Sequence, residues 1–261
     1  MKYLKSLHSL GVIAAVFAAM TPRASADLGL DVSPAKYEMQ VVAGKPSTVP
    51  ITIRNTGGAP VHIVVSLNDY EIGTSGAVKF MPAGKSKYSL SRSMTVAPRE
   101  FDLAPNSFQM VRVTAAVPPG AIGEFQAAVF FQTRPTRRPG GVAFSERIGS
   151  KVFAIVTDSM KMGGEIEDIQ AKPYLDGQRY LIGFKNTSNL HVYANGTVEI
   201  RQGSTVVERI AMPAQMPVDR SGARVIEVLG KKLQPGSYTL VAKVDYGGPE
   251  TTEGQIHFVV H

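Results

Sequence analysis

What most constrains the fold is the way this chain is cut. From Ser47 onward it is a succession of short apolar runs separated by Gly, Pro and Asn: STVPITIRN, APVHIVVSL, FQMVRVTAAV, EFQAAVFFQ, RYLIGFKN, NGTVEI, RVIEVL and SYTLVAKVDY. They are rich in Val, Ile, Thr, Phe and Tyr, and many alternate apolar with polar residues. Regular short strands with frequent turn signals predict an all-β protein built as sandwiches or barrels. No stretch after the first residues carries the period of a long amphipathic helix.

An internal echo divides the chain. ITIRNTGGAPVHI, from Ile51, has a counterpart in IGFKNTSNLHVYA, from Ile182. Each has two apolar residues two apart, a cation, Asn-Thr and then a turn. Further on, each half has a Pro-Gly turn leading into an alternating strand, VPPGAIGEFQAAVFF in the first and LQPGSYTLVAKVDY in the second. Two sandwiches of one type are expected, each using Asn-Thr to end a core strand and turn the chain over. The break is placed in TDSMKMGGE, where Gly163-Gly164 loosens the backbone.

The amino terminus reads as an export signal. Lys2 and Lys5 precede the apolar LHSLGVIAAVFAAM, and Ala24-Ser25-Ala26 fits a small-residue cleavage site. The expected organisation is a signal peptide over 1–26, a first sandwich over 27–158 and a second over 159–261. The apolar core is short for a bilayer span, and no later stretch is long enough for one, so no integral membrane segment is expected after cleavage. Cleavage leaves 25 basic against 21 acidic residues, a formal +4 rather than +7. That mild excess, without an aromatic-studded basic motif, does not predict nucleic-acid binding. With no cysteine there are no disulfides, so the apolar cores alone hold the fold.

Catalytic chemistry has little to stand on. The mature part has four histidines, His62, His191, His257 and His261. His62 and His191 sit in VHIVV and LHVYA, where a lone strand histidine reads as a packing or surface residue. There is no Gly-x-Ser-x-Gly elbow, no His-Glu-x-x-His or paired-histidine spacing for zinc, no phosphate loop and no calcium-loop spacing. Without tryptophan, an aromatic sugar platform is poorly supported. The expectation is a protein that is not an enzyme and uses no cofactor or metal. The basic stretch RPTRRPGG, from Arg134, reads as a solvated loop.

One strand raises a sharper question. SERIGSKVFAIV, Ser145 to Val156, carries Arg147 and Lys151 among residues suited to burial. A long cationic side chain can lie along apolar surface with its head in water, or it can await a carboxylate. Around it, DVSPAKYEMQVVAG leads into TVPITIRNTG, and an apolar run ending FFQTRP leads through a loop to GVAFSERIGSKVFAIV. This arrangement, over roughly Asp31 to Val156, resembles the periplasmic pilus-assembly chaperones, which are PapD-like proteins of two immunoglobulin-like sandwiches.

The resemblance implies a chaperone of the periplasm. It would bind pilus or other surface subunits by lending them an edge strand, with an outer-membrane usher as a further partner. Carried over by position, Lys151 and Lys36 become the anchor for the subunit's terminal carboxylate. Val142, Phe144 and Ile148 become the donor residues, and Arg147 an accessory cation or an edge guard. Glu146 stands in the donor row where an apolar residue is expected, and a shift of two residues would put Glu38 in place of Lys36. The alternative reading is a structural or adhesive two-sandwich protein that binds the cell envelope and lends no strand. A weaker third reading is a non-catalytic accessory part of an exported enzyme system.

Overall fold

The computed structural model describes residues 29–137, 141 and 143–261. The signal-peptide reading and the donor assignment of Val142 fall outside them. The first half contains β1 (Leu30–Ser33), β2 (Lys36–Val41), β3 (Ser47–Asn55), β4 (Val61–Ile72), β5 (Val78–Pro82), β6 (Met94–Ala97), β7 (Glu100–Leu103), β8 (Phe108–Ala115), β9 (Glu124–Thr133), β10 (Thr136–Arg137), β11 (Ala143–Phe144) and β12 (Arg147–Val156). The second contains β13 (Gly164–Tyr174), β14 (Gly177–Asn186), β15 (Val192–Gln202), β16 (Thr205–Ala211), β17 (Met216–Val218), β18 (Ala223–Gly230), β19 (Gly236–Asp245) and β20 (Thr252–Val260). One 3-10 turn, Ser91–Ser93, is the sole helical element among the described residues. The protein is two immunoglobulin-like β-sandwiches in tandem.

In the first sandwich the sheet β1-β3-β8-β6 faces the sheet β2-β12-β9-β4-β5, with β7 added to β4. Alternation builds the layer between them. Val49, Ile51 and Ile53 of β3 and Val111, Val113 and Ala115 of β8 point inward from one side. Ile63 and Val65 of β4, Ala127, Val129 and Phe131 of β9, and Val152, Ala154 and Val156 of β12 point inward from the other. Burying a side chain of this size contributes about 1.5–3 kcal/mol, which is how a cysteine-free chain holds together.

The second sandwich repeats the plan with β13-β14-β18 against β16-β15-β19-β20, and β17 paired to β15. Tyr180, Ile182 and Phe184 of β14 pack against Val198 and Ile200 of β15 and Leu240, Ala242 and Val244 of β19. The echo seen in the sequence has a physical basis. Asn55 ends β3 and Asn186 ends β14, and both are fully buried. The Asn55 amide donates to the Ala59 and Leu103 carbonyls, and its Oδ1 accepts from the Gly57 N–H. The Asn186 amide donates to the carbonyls of Leu190, Val218 and Asp219, and its Oδ1 accepts from the Ser188 N–H. Each asparagine ties the turn after one core strand to a neighbouring segment, pairing its own buried amide with buried and part-buried carbonyls.

Two features position the candidate site. Beyond Ser33 the chain leaves one sheet for the other: β1 pairs antiparallel with β3, whereas β2 pairs parallel with β12. The crossover is tied to β12 where the Ser150 hydroxyl donates to the Pro34 carbonyl and the Lys151 N–H to the Ala35 carbonyl. The second feature corrects an expectation. The segment read as one strand, GVAFSERIGSKVFAIV, is divided. Ala143–Phe144 forms β11, which pairs with β10, and β12 starts at Arg147. The break lies at Ser145-Glu146, because both residues bond back to the end of β9. The Ser145 hydroxyl donates to the Thr133 carbonyl, the Glu146 N–H to the Thr133 hydroxyl, and the Thr133 N–H to the Glu146 carbonyl.

Candidate partner-binding edge and interdomain cleft

β12 has β9 on one side from Arg147 to Ile155. On the other side β2 covers only Lys151 to Val156. Among the described residues no strand is paired with Arg147 to Ser150 there, although β1 and the crossover after it run alongside and are tied in at Glu146 and Ser150. This leaves a short stretch of unpaired main chain ending at Lys151. Such a stretch offers main-chain donors and acceptors to an incoming strand.

The register brings the two candidate anchors together. Lys151 on β12 and Lys36 on β2 are direct partners across the parallel pair, so their side chains leave the same face of the sheet. Glu38 partners Phe153 instead. The Lys151 ammonium lies 5.3 Å from the centre of the Tyr70 ring, with the residue half-buried, and has no hydrogen-bond or ion-pair partner among the described residues. Lys36 is more engaged. Its ammonium donates to Glu38 Oε1 at 2.6 Å and to the Tyr193 hydroxyl at 2.9 Å, above the Tyr193 ring. Those two hydrogen bonds hold its pKa above the usual lysine value despite partial burial.

Arg147 leaves the same face as Lys151, as alternation predicts. Its guanidinium stacks 3.7 Å from the Phe130 ring centre and donates to Asn68 Oδ1. Beneath these cations Tyr70, Ala128, Phe130 and Phe153 form a second, smaller apolar cluster on the outer face of the sheet. This explains why β9 is buried on both faces for most of its length. Ile148, on the opposite face, is partly buried against the main core, and Phe144 is exposed in β11. The structure therefore does not align Phe144 and Ile148 along one uninterrupted strand. Glu146, between them, turns inward. Its Oε1 accepts from the Leu30 N–H at 3.1 Å, and its Oε2 is buried without a partner.

Beyond the two lysines the second sandwich closes a cleft. Asp219 Oδ2 accepts from the Ile72 N–H at 2.7 Å, and Arg220 donates to the carbonyls of Ile122 and Glu124 while its guanidinium stacks on Tyr88. These contacts leave a cavity of about 300 Å³ lined by Ile72, Tyr88, Gln126, Asp219 and Arg220. Burial pushes the Asp219 carboxyl up, against the pull of the Ile72 N–H, Gln126 and the charge of Lys151.

Two residues that sequence reasoning passed over sit in this cleft. His191, read from the sequence as an ordinary strand residue, precedes β15 and packs on the outer face of the first sandwich, where its ring stacks 4.2 Å from Phe153. Its Nδ1 lies 2.6 Å from Glu124 Oε2 and its Nε2 lies 3.2 Å from Glu38 Oε1. Burial drives the Glu124 carboxyl up, although His191 opposes this. Neither residue has a motif, because Glu124 and His191 are 67 positions apart.

His62 does lie in a strand, and it is clamped at the surface between Asp102 and Glu100 at 2.6 Å each, with Arg134 also on Glu100. The cluster has ionic bonds and no nucleophile. Among the described residues no group of three or more His, Cys, Asp or Glu is placed to hold a metal, and no helix is long and apolar enough to cross a membrane.

The two-sandwich arrangement matches a solved protein. The class 5 fimbriae chaperone CfaA superposes with a TM-score of 0.52 at 9% identity, over 88% of this chain and 98% of that one. The chain has the fold of the fimbrial chaperones. The E. coli chaperone DraB (TM-score 0.46, 12% identity, 88% of this chain and 98% of that one) is a weaker match. So is the SafB chaperone of Salmonella enterica, solved with the SafA pilin (0.45, 14% identity, 91% and 99%). No protein-family model and no curated protein matches the sequence. The likeness thus rests on how the chaperone fold is built and not on shared residues.

Proposed function

We propose that the protein is a periplasmic chaperone, without enzymatic activity, that captures pilus or other surface subunits. The observation that carries this reading is the register pairing of Lys36 with Lys151 at the end of a stretch of β12 that no strand pairs with, on the face where Lys36 meets Tyr193 of the second sandwich. A partner strand pairing with Arg147 to Ser150 would reach that point with its terminus. The ammonium groups of these two partnered lysines would bind its carboxylate through charge-assisted hydrogen bonds and set the pairing register. Ile148 would contribute an apolar side chain beside the partner's groove, and Arg147 an additional charge at its rim. The free energy would come from main-chain pairing and apolar burial, so no nucleotide, metal or cofactor is required. An outer-membrane usher is the expected recipient of the captured subunit.

The test is capture in the native envelope. Tagged wild type should recover a small β-rich surface protein, and Lys151→Ala should lose most of it while melting at an unchanged temperature. Recovery of the same partners by both proteins would remove Lys151 from the role. It would favour a two-sandwich protein that binds the envelope without lending a strand.

A further inference from the structure

Glu38 is shared between Lys36 and His191. Its Oε1 is 2.6 Å from the Lys36 ammonium and 3.2 Å from His191 Nε2. Lys36 is one of the two proposed anchors, so a carboxylate already on it weakens any carboxylate that arrives later. The other nitrogen of His191 is committed. Nδ1 lies 2.6 Å from Glu124, which is 1% exposed and has no water to fall back on. A buried carboxylate needs that N–H, so in the neutral ring the proton sits on Nδ1 and Nε2 presents a lone pair to Glu38. Uptake of one proton by the His191–Glu124 pair changes this whichever residue carries it, because both arrangements leave an N–H on Nε2 that donates to Glu38.

We infer that His191 is a positioning residue of the carboxylate anchor: with an N–H on Nε2 it draws Glu38 away and frees Lys36 for the partner's terminal carboxylate, and with a bare Nε2 it leaves Glu38 to neutralise Lys36. This rests on the anchor reading proposed above. The groups around the ring are Glu38 and Lys36 from β2, Glu124 from β9, Tyr193 from β15, and Asp219 and Asp245 from the second sandwich. Burial pushes Glu38 up, but the Lys36 hydrogen bond and the charges of His191 and Lys36 outweigh it and hold Glu38 below the usual carboxylate range. Glu38 is therefore ionised and Lys36 charged near neutral pH. A proton taken up by the His191–Glu124 pair then changes only the claim on Glu38.

The probe is a strand-forming peptide of about nine residues, a typical strand length or slightly more, made with a free terminal carboxylate and as the amide. Binding is measured by calorimetry at about pH 5.5 and about pH 8 on the mature protein. In wild type the acid should bind more tightly than the amide, and that preference should be about threefold larger at the lower pH, the scale of one half-exposed ion pair. His191→Gln should keep an acid preference but lose its pH dependence. Glu38→Gln should show the high preference at both pH values, and this partly exposed site makes it the variant that carries the test should His191→Gln not fold. An acid preference in wild type that does not vary with pH, or a variation that survives both substitutions, overturns the role of His191 and leaves the anchor standing. Equal binding of acid and amide, or binding of neither, overturns the anchor and this inference with it.

Discussion

At the scale of single residues the protein depends on a few buried polar groups placed by their neighbours. Asn55 and Asn186 each satisfy carbonyls that no water can reach. Replacing either with Ala should destabilise its own sandwich by about 2–4 kcal/mol, since removing the donor leaves buried acceptors unpaired. Urea unfolding followed by a probe in each half would locate the loss. His62 gives a second prediction. The hydrogen bonds to Asp102 and then Glu100 hold its pKa above the usual value. A raised pKa stabilises the folded state fully below the unfolded value of about 6.5, and that contribution disappears as pH rises through the folded value. The melting temperature should therefore fall between mildly acidic and mildly alkaline pH. In His62→Gln this component of the fall should be absent, which paired melts at the two pH values would detect.

At the scale of the element, β12 is shaped by what lies across it. Gly149 faces Phe130, and a Cβ there would meet the ring at 2.7 Å. The ring is fixed by Arg147 above and Phe80 beside it. Gly149→Ala should therefore cost about 1–3 kcal/mol, as overpacking does, and the loss should read as a lower midpoint in chemical denaturation. The apolar alternation of β12 was legible in the sequence, as was the common face of Arg147 and Lys151, because both follow from a period of two. The interruption at Glu146 was not. It depends on Thr133 and Leu30, whose distance from Glu146 is set by the pairing of other strands.

At the scale of the molecule, the relation between the sandwiches rests on a short list of polar contacts. Arg220 supplies two carbonyl hydrogen bonds and a stacked ring. Arg220→Ala should leave each sandwich folded but loosen the cleft. Scattering would show a larger radius of gyration, and thermal unfolding would separate into two transitions where wild type is more nearly concerted. The candidate anchor requires this arrangement, since Lys36 is held by Tyr193 from the second sandwich. Loosening the cleft should therefore also weaken capture of a carboxylate-ended strand.

The amino-acid sequence by itself determined the all-β class, the repeated sandwich and its Asn-Thr turns, and the presence of a cation on an otherwise apolar strand. These are properties of residues near one another in the chain, expressed through alternation and turn chemistry. Only the tertiary structure decided that Lys36 stands beside Lys151, that Glu38 is divided between Lys36 and His191, and that Glu146 turns in to meet β1. Each of those depends on strand register or on the packing of one sandwich against the other. Moving a strand by a single residue reverses the face of every side chain on it, so no local pattern can specify which distant groups will meet.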